Sequence, residues 1–593
     1  MANETRRVSR LAWFIIGAVS TLVFLFLAFV LLLSVILAPP QVKVEPGTVM
    51  SMSIDGMLEE RPAMGLLQQL TGTAGKSLWD IRRALDRAKG DDKIVAVRLD
   101  VGMLESGWGT VAEIQSYLNA FRSCRKPVYA YLGSEFIGEK EYAVALGADK
   151  IWLAPGAGMM IDGLRADVTF WRGTLDKLKI VPDLLSFKEY KSAGESLVRK
   201  DMSEYLRESL TALLSDMQDW FVQSVASRRS MDTQKVRAEM NVGLLTTSGA
   251  KDRGWVDAIG YQDEFEKEIQ SAAQISEYKD ISHADYLMRA LPKVPSGSTL
   301  AVVFAEGPIL SADVDQLPFE RGIVSGPRTA QAIDAAVKDT RVKAIVLRIN
   351  SPGGSAIGSD QIWRATQRAR QAGKPVVATM SDVAGSGGYW IASGANRIVA
   401  EPSTITGSIG VVALKLNIRG FYDLIGATVD SITLAKNAGM MSPFESLSEE
   451  QRALLSAWME DVYEQFKQKV ATGRGLTPDV VEAVAKGRIW SGKQALERKL
   501  IDGLGGFDEA IREAKRLANI PESEQVSFEI YPKPEKWFER LFARDTSMAM
   551  VRNPSAAGLV REFARAGVHL PEPLHWNLAN PQPIALVPNI TIR

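Results

Sequence analysis

The chain has 593 residues, of which 46% are hydrophobic and 24% charged; this is too long for one ordinary domain and has a normal globular composition. Its 70 basic and 70 acidic residues give a formal net charge of zero, which argues against the basic footprint of a nucleic-acid-binding protein. A single cysteine, Cys124, excludes an internal disulfide.

The first predicted element is a membrane span. No charged residue occurs from Leu11 to Val42, and Leu22 to Leu37 contains one polar residue, Ser34. About 20 apolar residues suffice to cross a bilayer as a helix. The segment ends in Ala38-Pro39-Pro40 without a convincing cleavage site, so it reads as a retained anchor rather than a signal peptide. Arg6, Arg7 and Arg10 precede it and should stay cytoplasmic. Residues 1–43 are therefore expected to be a cytoplasmic start plus a single transmembrane helix, with the rest of the chain outside the cytoplasm.

The remainder is written twice, with a period of about 245–250 residues. The run VMSMSIDG from Val49 matches TLAVVFAEG from Thr299, and KIVAVRLD from Lys93 matches KAIVLRIN from Lys343. RKPVYAY from Arg125 matches GKPVVAT from Gly373, and LGADKIWLAP from Leu146 matches SGANRIVAEP from Ser393. A fifth pair starts at Ser248 and Ser491. Such long copies mean a duplicated domain, not a solenoid of short repeats. Within each copy, β-branched runs alternate with amphipathic stretches, the pattern of parallel α/β units. The expected organisation is a first repeat over 44–290, a joint at 291–298, a second repeat over 299–530, and a partly ordered tail over 531–593. The tail is rich in Pro, Ala and Asn, with one amphipathic helix expected around 535–542.

The copies differ where chemistry would sit. The second has the turn NSPGGS (350–355), a serine within AGSGGYW (384–390), and TITGSIG (404–410); the first has none of these. Ser386 follows the buried run PVVATM and opens a predicted helix, so its hydroxyl sits among bare amides, as an acyl-transfer nucleophile requires. Gly353, Gly354 and Gly387 could offer amides to an oxyanion. The only histidines are His283, His569 and His575, none within 100 residues of Ser386, which makes a Ser-His-Asp triad improbable. A lysine can act as base if burial lowers its pKa from 10.4 by roughly 3 units, at ~1.4 kcal/mol per unit. Lys191 and Lys436 lie at equivalent places, each in a K-x-A-G context. No zinc-type His/Cys spacing and no phosphate-binding G-x-x-x-x-G-K-[ST] loop occurs.

These motifs, with YKSA at 190–193, resemble the signal peptide peptidase A (protease IV) family in its long two-repeat bacterial form, over roughly residues 10–530. The resemblance implies a Clp-protease/crotonase-like α/β fold in each repeat and a Ser-Lys peptidase without metal or organic cofactor. It also implies an enzyme in the bacterial inner membrane, facing the periplasm, that degrades signal-peptide remnants and other short apolar peptides. Such proteins form a bowl of several copies, a homo-tetramer by resemblance, with the active sites inside. Ser386 takes the place of the nucleophile and Ser408 that of the serine holding the lysine. The long form's lysine falls on Lys191. Single-repeat relatives take theirs about 50 residues after the nucleophile, where Lys436 stands, so Lys191 is favoured and Lys436 is the alternative. Two rival functions are a crotonase-like acyl-thioester enzyme and a non-enzymatic membrane scaffold; neither needs a serine at that turn.

Overall fold

The computed structural model describes residues 44–62, 77–289, 297–312, 322–533, 584–586 and 591–592, with isolated positions 17, 21 and 25. The expected anchor lies outside the described residues apart from those three positions; most of the 291–298 joint and the expected 535–542 helix lie outside them too. Among the described residues no helix is long and apolar enough to cross a membrane.

The two halves build the same sheet. In the first, Ala258–Ile259, Lys150–Leu153, Val128–Leu132, Ile94–Leu104, Thr48–Gly56 and Asp280–Ser282 lie side by side, all parallel. In the second, the same path runs Gly503–Leu504, Arg397–Ala400, Val376–Gly385, Val342–Ser351, Thr299–Glu306 and Ser527–Tyr531, again all parallel. Parallel strands are covered by helices on both faces, which is why their sequences read as near-continuous apolar runs. The strand from Val342 is buried at eight of its ten positions, the exceptions being exposed Lys343 and half-buried Asn350. The first half has a separate three-stranded sheet of Phe136–Ile137, Gly158–Ile161 and Gly243–Leu245; in the second, the corresponding end of Val376–Gly385, Ile405–Gly407 and Ile489–Ser491 is continuous with the main sheet.

The repeats interlock through one core. Val302, Val346, Val377 and Phe507 of the second repeat join the same buried cluster as Met52, Leu85 and Val111 of the first. Trp79 meets Phe304, Phe507 and Phe528 edge-on, at centroid distances of 6.2, 5.0 and 5.2 Å. The helix Trp108–Arg122 has Gly107 at its N-cap and no side-chain cap of its own. Asp382 of the second repeat supplies it, accepting from Gly107 N at 2.9 Å and Thr110 N at 2.7 Å, which satisfies amides a helix start leaves bare. Arg348 of the second repeat is buried against Glu60 (2.7 Å) and Glu113 (2.6 Å) of the first. Asp382 stands four residues before Ser386, so the strand that carries the serine is tied directly to the other repeat.

A third sheet spans both repeats. Its order is Val324–Ser325, Ile309–Leu310, Gly353–Ser355, Ile584–Leu586, Val411–Asn417 and Val181–Phe187. The last two pair antiparallel over seven residues, from Val411 opposite Phe187 to Asn417 opposite Val181. This pairing carries the loop after Phe187 across to the second repeat. The tail, expected to be partly ordered, contributes two short strands: Ile584–Leu586 enters this sheet, and Thr591–Ile592 pairs with Ala166–Asp167.

Candidate active site

Ser386 is the N-cap of the helix Gly387–Ala392, with φ 53° and ψ −113°. An L-residue rarely adopts such a backbone, and holding it there stores on the order of 1–3 kcal/mol. The turn is fixed from both sides: Ser386 N donates to Gly407 O at 2.8 Å, and Trp390 N closes the first helical turn on Ser386 O. Glycines are required around it by close approach. A Cβ on Gly387 would stand 2.6 Å from Ser359 Oγ and 3.1 Å from Gly354 N, and one on Gly388 would stand 2.7 Å from Ser351 O. The two glycine turns singled out in the sequence therefore touch. Gly353 and Gly354 have φ 105° and 149°, and Gly353 N donates to Ser351 Oγ at 3.2 Å.

The structure brings Lys191 to this turn. Its Nζ is hydrogen-bonded to Ser386 Oγ at 2.7 Å, and donates to Ser408 O and Ser408 Oγ, both at 2.9 Å. Ser408 has φ 50°, and its N donates to Arg488 O at 2.7 Å, which aims both oxygens at the amine. The lysine loop is clamped by the second repeat. Tyr190 N donates to Lys486 O at 3.1 Å, and a Cβ on Gly487 would lie 2.6 Å from Lys191 Cα. Ser186 Oγ, at the end of the bridging strand, donates to Lys191 O.

Electrostatics follow from burial. Lys191 is 2% exposed and Ser386 0%. Removal from water pushes the Lys191 ammonium well below its usual pKa, and burial is the cause. A neutral amine has two N–H donors and one lone pair. The two donors match Ser408 O and Oγ, and the lone pair is left for the Ser386 hydroxyl. Among the described residues no group of His, Cys, Asp and Glu is placed to hold a metal ion.

Lys436 is not part of this arrangement. Its side chain is 75% exposed and ion-paired with Glu450, in a segment that also exposes Ile432 and Leu434. As an alternative base it is corrected by the fold: the strand that precedes its segment ends at Asn417, and the chain then runs outward along the surface. At the place of Ser386 the first repeat has Gly138, the N-cap of Glu139–Ala145, with φ −90° and no strained turn.

Sequence reasoning missed three contributors. Asn350 Oδ1 accepts from Val383 N at 3.2 Å and its Nδ2 donates to Glu60 Oε1 at 3.1 Å, so it ties the serine strand to the first repeat; it stood in the quoted NSPGGS run without a role. Gly487 had no signal beyond being a glycine. The tail strand Ile584–Leu586, beside Gly353 and Gly354, had only an apolar triplet to announce it.

Peptidase family S49 matches residues 120–276 and 368–521. The chain is 34% identical over 492 residues to "Protease 4" of Salmonella typhi, covering 79% of this chain and 78% of that protein. It is 30% identical to "Serine protease SPPA, chloroplastic" of Arabidopsis thaliana, over 85% of this chain and 74% of that one. Among solved structures, a membrane-bound stomatin-specific protease superposes with a TM-score of 0.25 at 17% identity, covering 40% of this chain and 100% of that one.

Proposed function

Since this chain belongs to peptidase family S49 and is a serine peptidase, we propose that Ser386 is its nucleophile and Lys191 its general base. The observation that carries this is the 2.7 Å contact between buried Lys191 Nζ and buried Ser386 Oγ. Membership of a peptidase family sets aside the acyl-thioester and scaffold alternatives.

The mechanism follows from the geometry. Lys191, neutral and held through its two N–H groups by Ser408, takes the hydroxyl proton as Ser386 Oγ attacks a peptide carbonyl. The carbonyl becomes a tetrahedral oxyanion, held by amides of Gly387 and of the Gly353–Gly354 turn. Because Gly353 N is already engaged by Ser351, Gly354 is the better placed of the two. Lys191 then gives its proton to the departing amine, and the acyl-serine remains. A water, deprotonated by the same lysine, releases the acid and restores the serine. No step calls for a metal or an organic cofactor.

The repeat over 44–290 thus supplies the base and that over 299–530 the nucleophile, each in a Clp-protease/crotonase-like fold. Extended, short and apolar peptides, including remnants of cleaved signal peptides, are the substrates of this reading, and the 11–37 apolar segment is the anchor in the bacterial inner membrane, with the catalytic repeats periplasmic. Leu424, Ile425, Ile432 and Leu434, each exposed, support assembly of several copies, since apolar side chains left in water gain from burial against a partner. A fluorophosphonate probe tests the core of the proposal. Wild-type protein should be labelled, and Ser386→Ala should not; labelling that persists in that variant overturns the nucleophile assignment.

A further inference from the structure

The helix Pro478–Val484 runs into a turn that reaches both the lysine loop and the Ser408 loop. Lys486 and Gly487 have φ 56° and 84°, a left-handed pair that a lysine enters only at a cost. Lys486 O accepts from Tyr190 N at 3.1 Å, one residue before Lys191. Gly487 N donates to Ile409 O at 2.8 Å, and Arg488 O accepts from Ser408 N at 2.7 Å. One three-residue turn thus sets the spacing between Lys191 and the Ser408 oxygens that its amine bonds. The turn is itself held by a phenol: Lys486 N donates to Tyr463 Oη at 3.2 Å.

Tyr463 stands in the helix Glu449–Arg474 and is fully buried. Its hydroxyl donates to Glu482 Oε2 at 2.8 Å while accepting from Lys486 N. Its ring packs on Phe187, the last residue of the bridging strand, at a centroid distance of 5.2 Å. It therefore touches the chain that enters the lysine loop and the turn that clamps it. The charged groups around the phenol are in place on every side. Glu482 is bonded to Lys467 at 2.9 Å and lies 3.8 Å from Lys188, and Lys467 also pairs with Glu464 at 2.7 Å. Glu189, beside the loop, pairs with Lys486 at 3.0 Å. Burial and the bond to Glu482 push the phenol above its usual pKa, so it keeps its proton where the lysine titrates. We propose that Tyr463 is a positioning residue for the reaction: its hydroxyl holds the 486–488 turn, and through that turn the placement and burial of Lys191. This rests on the Ser386–Lys191 reading above. Without the hydroxyl, Lys486 N has lost its acceptor and the turn gives way to let water satisfy it. The amine then gains water too, and its pKa, lowered by burial, climbs back towards its ordinary value.

The experiment compares three variants of the full chain with wild type. Tyr463→Phe keeps the ring and removes only the hydroxyl. Glu482→Ala removes the acceptor that aims the hydroxyl, at a half-buried position. Ile333→Ala opens a cavity in the same core, on the helix Gly326–Lys338, which packs against Ala356–Gln371. Each is assayed on a fluorogenic apolar peptide from about pH 5 to 10, with Ser386→Ala as the blank and urea denaturation alongside. Tyr463→Phe should lower kcat about tenfold near neutral pH, leave KM within about twofold, and move the acid limb of the kcat profile up by about 0.5–1 pH unit. Glu482→Ala should move the limb the same way by less, and Ile333→Ala should lower the urea midpoint without moving it. A limb that stays in place in Tyr463→Phe, or that Ile333→Ala moves equally, overturns the Tyr463 assignment and leaves the peptidase reading intact. Should Tyr463→Phe not fold, the limb in Glu482→Ala decides in the same way. A wild-type profile without an acid limb, or without Ser386-dependent hydrolysis, overturns the Ser386–Lys191 reading, and this proposal with it.

Discussion

Lys191 Nζ and Ser386 Oγ lie 2.7 Å apart although 195 residues separate them. The distance is set by the seven-residue pairing of Val181–Phe187 with Val411–Asn417, which delivers a loop of one repeat into the interior of the other. Neither repeat alone contains both groups.

Replacing the serine separates chemistry from strain. Ser386→Ala and Ser386→Gly should both lose at least about 10³-fold in kcat/KM. Because φ at this position is 53°, glycine accepts the backbone and alanine does not. Ser386→Gly should therefore be the more stable of the two by about 1 kcal/mol, read from urea denaturation.

The lysine imposes a pH dependence whose sign is fixed by its lowered pKa. Activity should rise with pH as the amine loses its proton; a flat profile from about pH 5 to 9 speaks against a titrating amine. Stability changes in the same direction. The unfolded lysine holds its proton up to its ordinary value while the folded one gives it up earlier. Burial of Lys191 thus opposes folding most strongly at low pH, and the penalty fades as pH rises towards 10.5. Lys191→Met should be nearly inactive, with a melting temperature above wild type at pH 6 and a gap that narrows by pH 10. Lys436→Ala, at an exposed site, should keep activity within about twofold.

Gly487→Ala tests the clamp on the lysine loop. Its φ is 84°, and the added methyl would lie 2.6 Å from Lys191 Cα. Displacing the amine by about 1 Å should reduce kcat about 10²-fold with little change in KM. Steady-state kinetics on a chromogenic peptide, with circular dichroism to verify folding, give the answer.

Arg348 tests the seam between repeats. It is buried against Glu60 and Glu113, and Arg348→Met would leave two carboxylates facing a cation that is gone. A loss of about 3–5 kcal/mol is expected. Adding Glu60→Gln and Glu113→Gln should recover part of it, measured by chemical denaturation of the triple variant.

Much of this was legible in the sequence because it is local. The glycine turns around Ser386 and the alternation of apolar runs with amphipathic stretches depend on neighbours in the chain. The choice between Lys191 and Lys436 was not local: both share K-x-A-G, and only the pairing between repeats separates a buried amine from an exposed one. Arg348, Glu60 and Glu113 carry no local signal: charged residues usually lie at the surface, and nothing in the spacing of these three announces a shared interior. The tail strands have three and two residues, too few for any periodicity to appear.

The bridging strand also governs when the enzyme can first act during its own synthesis. The half that emerges first from the ribosome carries an amine with no alcohol to activate. The half that emerges later brings the alcohol, but its hydroxyl is inert until the earlier half has docked. On the proposed Ser386–Lys191 dyad, cutting power therefore arises only once both halves have been made and have docked.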